Sequence, residues 1–170
     1  MTQETLDLSN IPDGTIEELH RQAETCLQNS MHLAIAADSR ATMLGTIFCG
    51  GSVALLAAVA TIIAGGSAVQ LRSAIAALLV TAISFLIATA FCVVAGRPTE
   101  FFISGYEPRD LARSATQDRF WMLRYVTEDI QKRIDANKLR LQRSADLLNS
   151  GLIAASVGIV GSAALFWFIV

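Results

Sequence analysis

The sequence predicts an all-α membrane protein: three transmembrane helices, with amphipathic cytoplasmic helices continuous with spans one and three. Composition gives the first sign. Of 170 residues, 53% are hydrophobic and 16% charged, against roughly 45–50% and about 25% in soluble domains. Three runs carry no Asp, Glu, Lys, Arg or His: Thr42 to Ala64, Ser73 to Ala95, and Asn149 to Val170. At about 1.5 Å per helical residue, each run matches the ~30 Å hydrocarbon core of a bilayer. Three helices apolar on every side would need a far larger soluble protein around them. The third sign is the placement of the basic residues. Of 13, ten lie between Arg97 and Arg143, two precede the first run, and Arg72 alone follows it before the second. The positive-inside rule then makes residues 1–41 and 96–148 cytoplasmic and leaves the 65–72 turn and Val170 outside.

The elements follow in order. Ile11-Pro12-Asp13-Gly14 is turn chemistry. Thr15 and Glu18 have capping-box spacing, so a helix is expected from about Ile16. Ile16, Leu19, Ala23, Cys26 or Leu27, and Met31 recur at helical spacing, and no breaker separates them from span 42–64. Forty-one residues, seven of them acidic, precede that span, so it reads as a retained anchor rather than a cleaved signal. Gly65-Gly66 ends the helix in a tight outer turn through residue 72. Span 73–95 stops at Gly96-Arg97-Pro98, and Phe101, Phe102 and Tyr106 suit the membrane interface. A last helix is expected to begin at Pro108 or Ser114. Leu123, Val126, Ile130, Ile134, Leu141, Ala145 and Leu148 form its stripe, which Asn137 and Ser144 interrupt, and it runs unbroken into span 149–170. The stripe indicates helix packing, with a short coiled coil open. Small residues four apart (Gly50 and Ala54, Ala54 and Ala58, Ala154 and Gly158) predict close helix packing in lipid and a homo-oligomer.

Catalytic and metal motifs are missing from the sequence. Cys26, Cys49 and Cys92 show no CxxC or Cys/His spacing and are expected to be reduced packing residues. There is no GxSxG, P-loop or HExxH motif. No span carries an internal ionisable residue, which argues against a proton-coupled carrier. An enzyme is not expected, and neither is a cofactor. With a net charge of −2, nucleic acid is not an expected partner.

A cation set remains: Arg113, Arg119, Arg124, Lys132, Arg133, Lys138, Arg140 and Arg143. Phe120, Trp121 and Tyr125 are interleaved at its start. Arginine forks bind phosphate in a bidentate way, and aromatic faces stack on bases. Arg113, Arg119, Trp121, Arg124 and Tyr125 are therefore the candidate ligand-binding residues. The alternative is a solvated helix face balanced by Glu128, Asp129, Asp135 and Asp146.

The approach to the first span reads Ala37-Asp38-Ser39-Arg40-Ala41, then Met43-Leu44-Gly45. It resembles the A-D-x-[KR]-A pattern opening the first membrane helix of the Pycsar transmembrane effectors and related small bacterial membrane proteins. The motif residues carried over are Ala37, Asp38, Arg40 and Ala41. The resemblance implies an antiviral effector of abortive infection. A partner pyrimidine nucleotide cyclase would make a cyclic pyrimidine nucleotide (cCMP or cUMP) on phage infection; the effector would sense this second messenger and impair the inner membrane. From the residues themselves, Asp38 and Arg40 do not share a helix face but can each pair with the 97–148 segment. A holin-like pore former acting without ligand, or a structural or adaptor membrane protein, are the competing expectations.

Overall fold

The computed structural model describes residues 8, 11–66, 72–97, 101–102 and 118–169. Among these residues there are three helices: α1 (Asp13–Ala64), α2 (Arg72–Ala95) and α3 (Arg119–Ile169). Each is long and apolar enough to cross a membrane, the mark of a multi-pass membrane protein. α1 and α3 have 52 and 51 residues, and each stays helical through its polar and its apolar stretch. The expected starts at Pro108 or Ser114, and Tyr106, lie outside the described residues.

α1 begins a turn earlier than the capping box implies. The Pro12 carbonyl accepts from Thr15 N at 2.9 Å and from Ile16 N at 3.1 Å. Pro12 thus caps the helix, and Asp13-Gly14 joins its first turn. Thr15 falls inside, and Glu18 turns to Arg21 and Gln22 instead of reaching back. At the other end Gly66 adopts φ 73° and donates to Ile63 O at 3.2 Å. That left-handed cap satisfies a terminal carbonyl at no steric cost to glycine.

The chain forms two compact units. The polar unit holds the stretches up to Ile35 and from Thr99 to Leu141. Within it α1 and α3 run parallel, since His20–Thr127 and Ser30–Asn137 both meet at a sequence separation of 107. Leu27, Val126 and Ile130 form its core, with Ala23, Met122 and Ile134 against them. Ile16 is fully buried. The amphipathic stripes of both helices face each other here, the one arrangement that removes both from water.

The apolar unit holds Ala36–Pro98 and Gln142–Val170. Phe48, Ala88, Cys92 and Ala155 form its core, with Leu44, Phe85 and Leu148 packed around. The Phe48 and Phe85 rings meet at 5.4 Å, tilted by 56°. Glycines set the helix separations. A Cβ on Gly45 would lie 3.3 Å from the Cys92 Cβ, and one on Gly151 3.2 Å from that of Phe91. One on Gly158 would fall on the Ser84 side chain. Hydrocarbon gives helices no hydrophobic drive to associate, so such backbone proximity is the main source of contact energy.

Two details of the small-residue and stripe readings differ. Gly50 has nothing within 4 Å of its would-be Cβ, and Ala54 and Ala58 are exposed, so that series lies on the outer surface. The buried partner of Gly158 along α3 is Ala155, with Ala154 only half-buried. Ala145 is also exposed, and Ser144 turns inward to donate to Ala95 O at 2.9 Å. From Ile130 the inward positions of α3 are 134, 137, 141, 144, 148, 151, 155 and 158, in strict four-three alternation. Asn137 and Ser144 are thus in phase with the stripe. Only 17% to 22% of the apolar stretch of each helix is buried. Met43, Ile47, Val53, Leu86, Ile87, Val157 and Val160 are exposed, as a lipid-facing surface requires.

Candidate functional site

The polar unit carries the polar chemistry, and Asn137 organises it. Its side chain is fully buried. Oδ1 accepts from Phe102 N at 3.1 Å, while Nδ2 donates to Phe102 O at 3.0 Å and to Ser30 Oγ at 3.3 Å. One amide thereby holds a non-helical backbone segment to α3 as a neighbouring strand would, and ties both to α1. Leaving such groups buried and unmade would cost about 1–3 kcal/mol each.

Phe102, so anchored, lies under two arginines. The guanidinium carbon of Arg133 is 5.8 Å from the ring centroid and that of Arg140 5.2 Å, both within cation–π range. Arg133 Nε also donates to Asp129 Oδ2 at 2.8 Å. Arg140 Nη1 is buried and meets no hydrogen-bond acceptor. Spacing of four and three places Arg133, Asn137 and Arg140 on adjoining positions of one helix face. That spacing was the available sequence signal. It carried no weight because the Phe102 partner comes from a distant, non-helical segment.

Four of the five candidate ligand residues are described, and their side chains meet different partners. Arg113 lies outside the described residues. Arg119 pairs with Glu17 at 2.8 Å and lies over the Phe120 ring at 5.9 Å. Arg124 Nη2 donates to Ile11 O at 2.9 Å. Both arginines thus hold the start of α1 to α3. Trp121 and Tyr125, four apart and exposed, stack on each other at 5.6 Å with planes 4° apart. Lys132 and Glu128 pair at 2.9 Å, and this partner raises the Lys132 pKa.

The motif at residues 37–41 divides by face. Ala41 is buried and Ala37 half-buried, whereas Asp38 and Arg40 are exposed. A Cβ on Gly96 would lie 3.4 Å from that of Ala41, so the alanine permits a close crossing of α1 and α2. Neither Asp38 nor Arg40 makes an ion pair with a described residue of the 97–148 segment; both point outward from α1. Beside Ala41, a groove of about 580 Å³ runs between α1 and α2, lined by Thr42, Gly45, Thr46, Thr89 and Gly96 among others.

Two further groups bear on electrostatics. The Thr127 hydroxyl donates to Leu123 O at 2.7 Å and so accepts from His20 Nδ1 at 3.3 Å. Glu18 accepts from Arg21 and Gln22, which hold its carboxyl well below the usual range, at about 2 instead of 4.5. A depressed carboxyl contributes stability above its unfolded pKa, lost as pH falls through the folded one. The α1 start should therefore hold its Glu18–Arg21 pair from neutral pH to below 4.5 and release it only near 2. Arg21→Ala should return the Glu18 carboxyl towards 4.5 in an NMR pH titration; an unmoved titration would remove Arg21 as the cause.

Among the described residues, no three His, Cys, Asp or Glu side chains come together to hold a metal. All three cysteines are free; Cys92 is buried, and Cys26 and Cys49 are exposed. No family model, no curated protein and no solved structure matches this chain.

Proposed function

We propose that the protein is an antiviral membrane effector gated by a cyclic pyrimidine nucleotide, cCMP or cUMP, which a partner cyclase makes during phage infection. In this reading residues 1–41 and 96–148 are cytoplasmic and the third span ends outside. The observation that carries the proposal is helix continuity. The helix bearing the arginine and aromatic side chains, α3, and the α1 helix that packs on its polar stretch both run unbroken into apolar spans. A ligand that prefers one arrangement of the parallel α1–α3 pair would thereby change both spans.

The Ala37-Asp38-Ser39-Arg40-Ala41 stretch adds support through its likeness to the Pycsar transmembrane effectors. Shallow burial of the spans adds more, because helices held by a few glycine contacts repack at small cost. The energy scale is attainable. Moving a population from about 1:99 to 99:1 takes about 5.5 kcal/mol of differential affinity. Charge-assisted hydrogen bonds of about 1.5–3 kcal/mol each, with one stacked base, supply that.

The test is expression with and without a pyrimidine cyclase, read by dye entry into cells. Silence alone and permeabilisation on cyclase induction is the expected result. Dye entry without cyclase would mark a ligand-independent pore former. No effect in either case would mark a structural or adaptor protein.

A further inference from the structure

We propose that Arg140, with Arg133 beside it, binds a phosphodiester monoanion at the edge of the Phe102 ring. Arg140 Nη1 is the starting point: a buried cationic donor with no acceptor. The Phe102 ring orients the guanidinium from 5.2 Å but offers its N–H groups no in-plane acceptor. Arg133 shares the same ring and has a carboxylate partner in Asp129. Arg140 makes no ion pair with a described residue, so its positive charge remains to be matched.

A phosphodiester carries a single negative charge and two non-bridging oxygens, the acceptor set that arginine forks fit. The Phe102 side of the site is anchored before any ligand arrives. Asn137 fixes the Phe102 backbone through two hydrogen bonds, so the ring cannot leave without breaking both. The ring itself is 42% exposed and leaves an apolar shelf beside the anion.

Two phosphodiesters meet this description, a cyclic nucleotide and a lipid headgroup. The first would deepen the functional reading above and rests on it; the second does not. The full chain in phosphatidylcholine nanodiscs is titrated calorimetrically with cCMP and with cUMP. In parallel, nanodiscs of phosphatidylcholine and phosphatidylglycerol are analysed by native mass spectrometry for retained phosphatidylglycerol. We expect the native chain to bind one of these phosphodiesters and Arg140→Gln to weaken it about tenfold or more, with helix content unchanged by circular dichroism.

Lipid retention lost in Arg140→Gln, with no nucleotide bound by the native chain, supports the site and removes nucleotide sensing. Nucleotide bound equally by both proteins supports sensing and overturns the site. A native chain that binds neither overturns it as well. Should Arg140→Gln fail to fold, Phe102→Leu replaces it, with several-fold weaker binding expected and unchanged binding counting against the proposal.

Discussion

Gly158→Ala should destabilise the apolar unit by about 1–3 kcal/mol, the usual cost of overpacking. A methyl group there falls on the Ser84 side chain, and Ser84 Cα would be 3.7 Å away. The Ser84 hydroxyl is bound to Val80 O at 2.9 Å, so it cannot swing aside without losing that bond. Gly161, three residues on, has nothing within 4 Å of its would-be Cβ. Gly161→Ala is therefore the control, neutral or slightly stabilising because alanine is the better helix former. Ser84→Gly should rescue Gly158→Ala, with a coupling of about 1 kcal/mol in a double-mutant cycle. Reversible unfolding in detergent micelles measures the native chain, the three single variants and the Ser84→Gly/Gly158→Ala double variant. Equal effects at 158 and 161 would mean that α2 and α3 do not approach closely at Ser84.

Asn137→Leu should cost about 2 kcal/mol or more, although leucine suits a buried helical position better by composition alone. The substitution strands the Phe102 N–H and C=O and withdraws a donor from Ser30 Oγ. Each buried polar group left unmade costs about 1–3 kcal/mol, and the half-exposed Phe102 recovers part of this from water. Hydrogen exchange gives the specific readout: the Phe102 amide should lose its protection while amides in the middle of α3 keep theirs. Asn137→Asp should be no milder. A carboxylate still accepts from Phe102 N, but it cannot donate to Phe102 O and it places a charge in a fully buried position. Unchanged exchange at Phe102 in both variants would detach Asn137 from the anchoring of that segment.

Asn137 also shows where the sequence reading stopped short. As one letter in an apolar stripe it looks like a defect, and so does Ser144. Both lie on the inward face, where each satisfies backbone groups that no side chain of its own helix could reach. Ser144 Oγ serves the Ala95 carbonyl, one of the terminal acceptors that every helix leaves open. The stripe expected through Ala145 passes through Ser144 instead for a related reason. A 3.6-residue turn drifts against a 3.5-residue repeat, so one apolar letter cannot set the phase.

The cation set divides in the same manner. Arg119 and Arg124 spend their donors on Glu17 and the Ile11 carbonyl, partners more than 100 residues away in sequence. Nothing in the spacing of α3 distinguishes them from Arg140, which meets the Phe102 ring and makes no ion pair with a described residue. The Trp121–Tyr125 stack, by contrast, follows from i, i+4 spacing alone.

Helix identity, span number and the unbroken passage of α1 and α3 into their spans were determined by the sequence itself. Those properties depend on hydrocarbon solubility and local backbone hydrogen bonding, which each stretch of chain settles alone. Only the tertiary structure decided which glycines touch, which polar side chains turn inward, and which arginines reach a partner on another segment. Each of these depends on what another helix presents within a few ångströms, and one-dimensional periodicity holds no record of that partner.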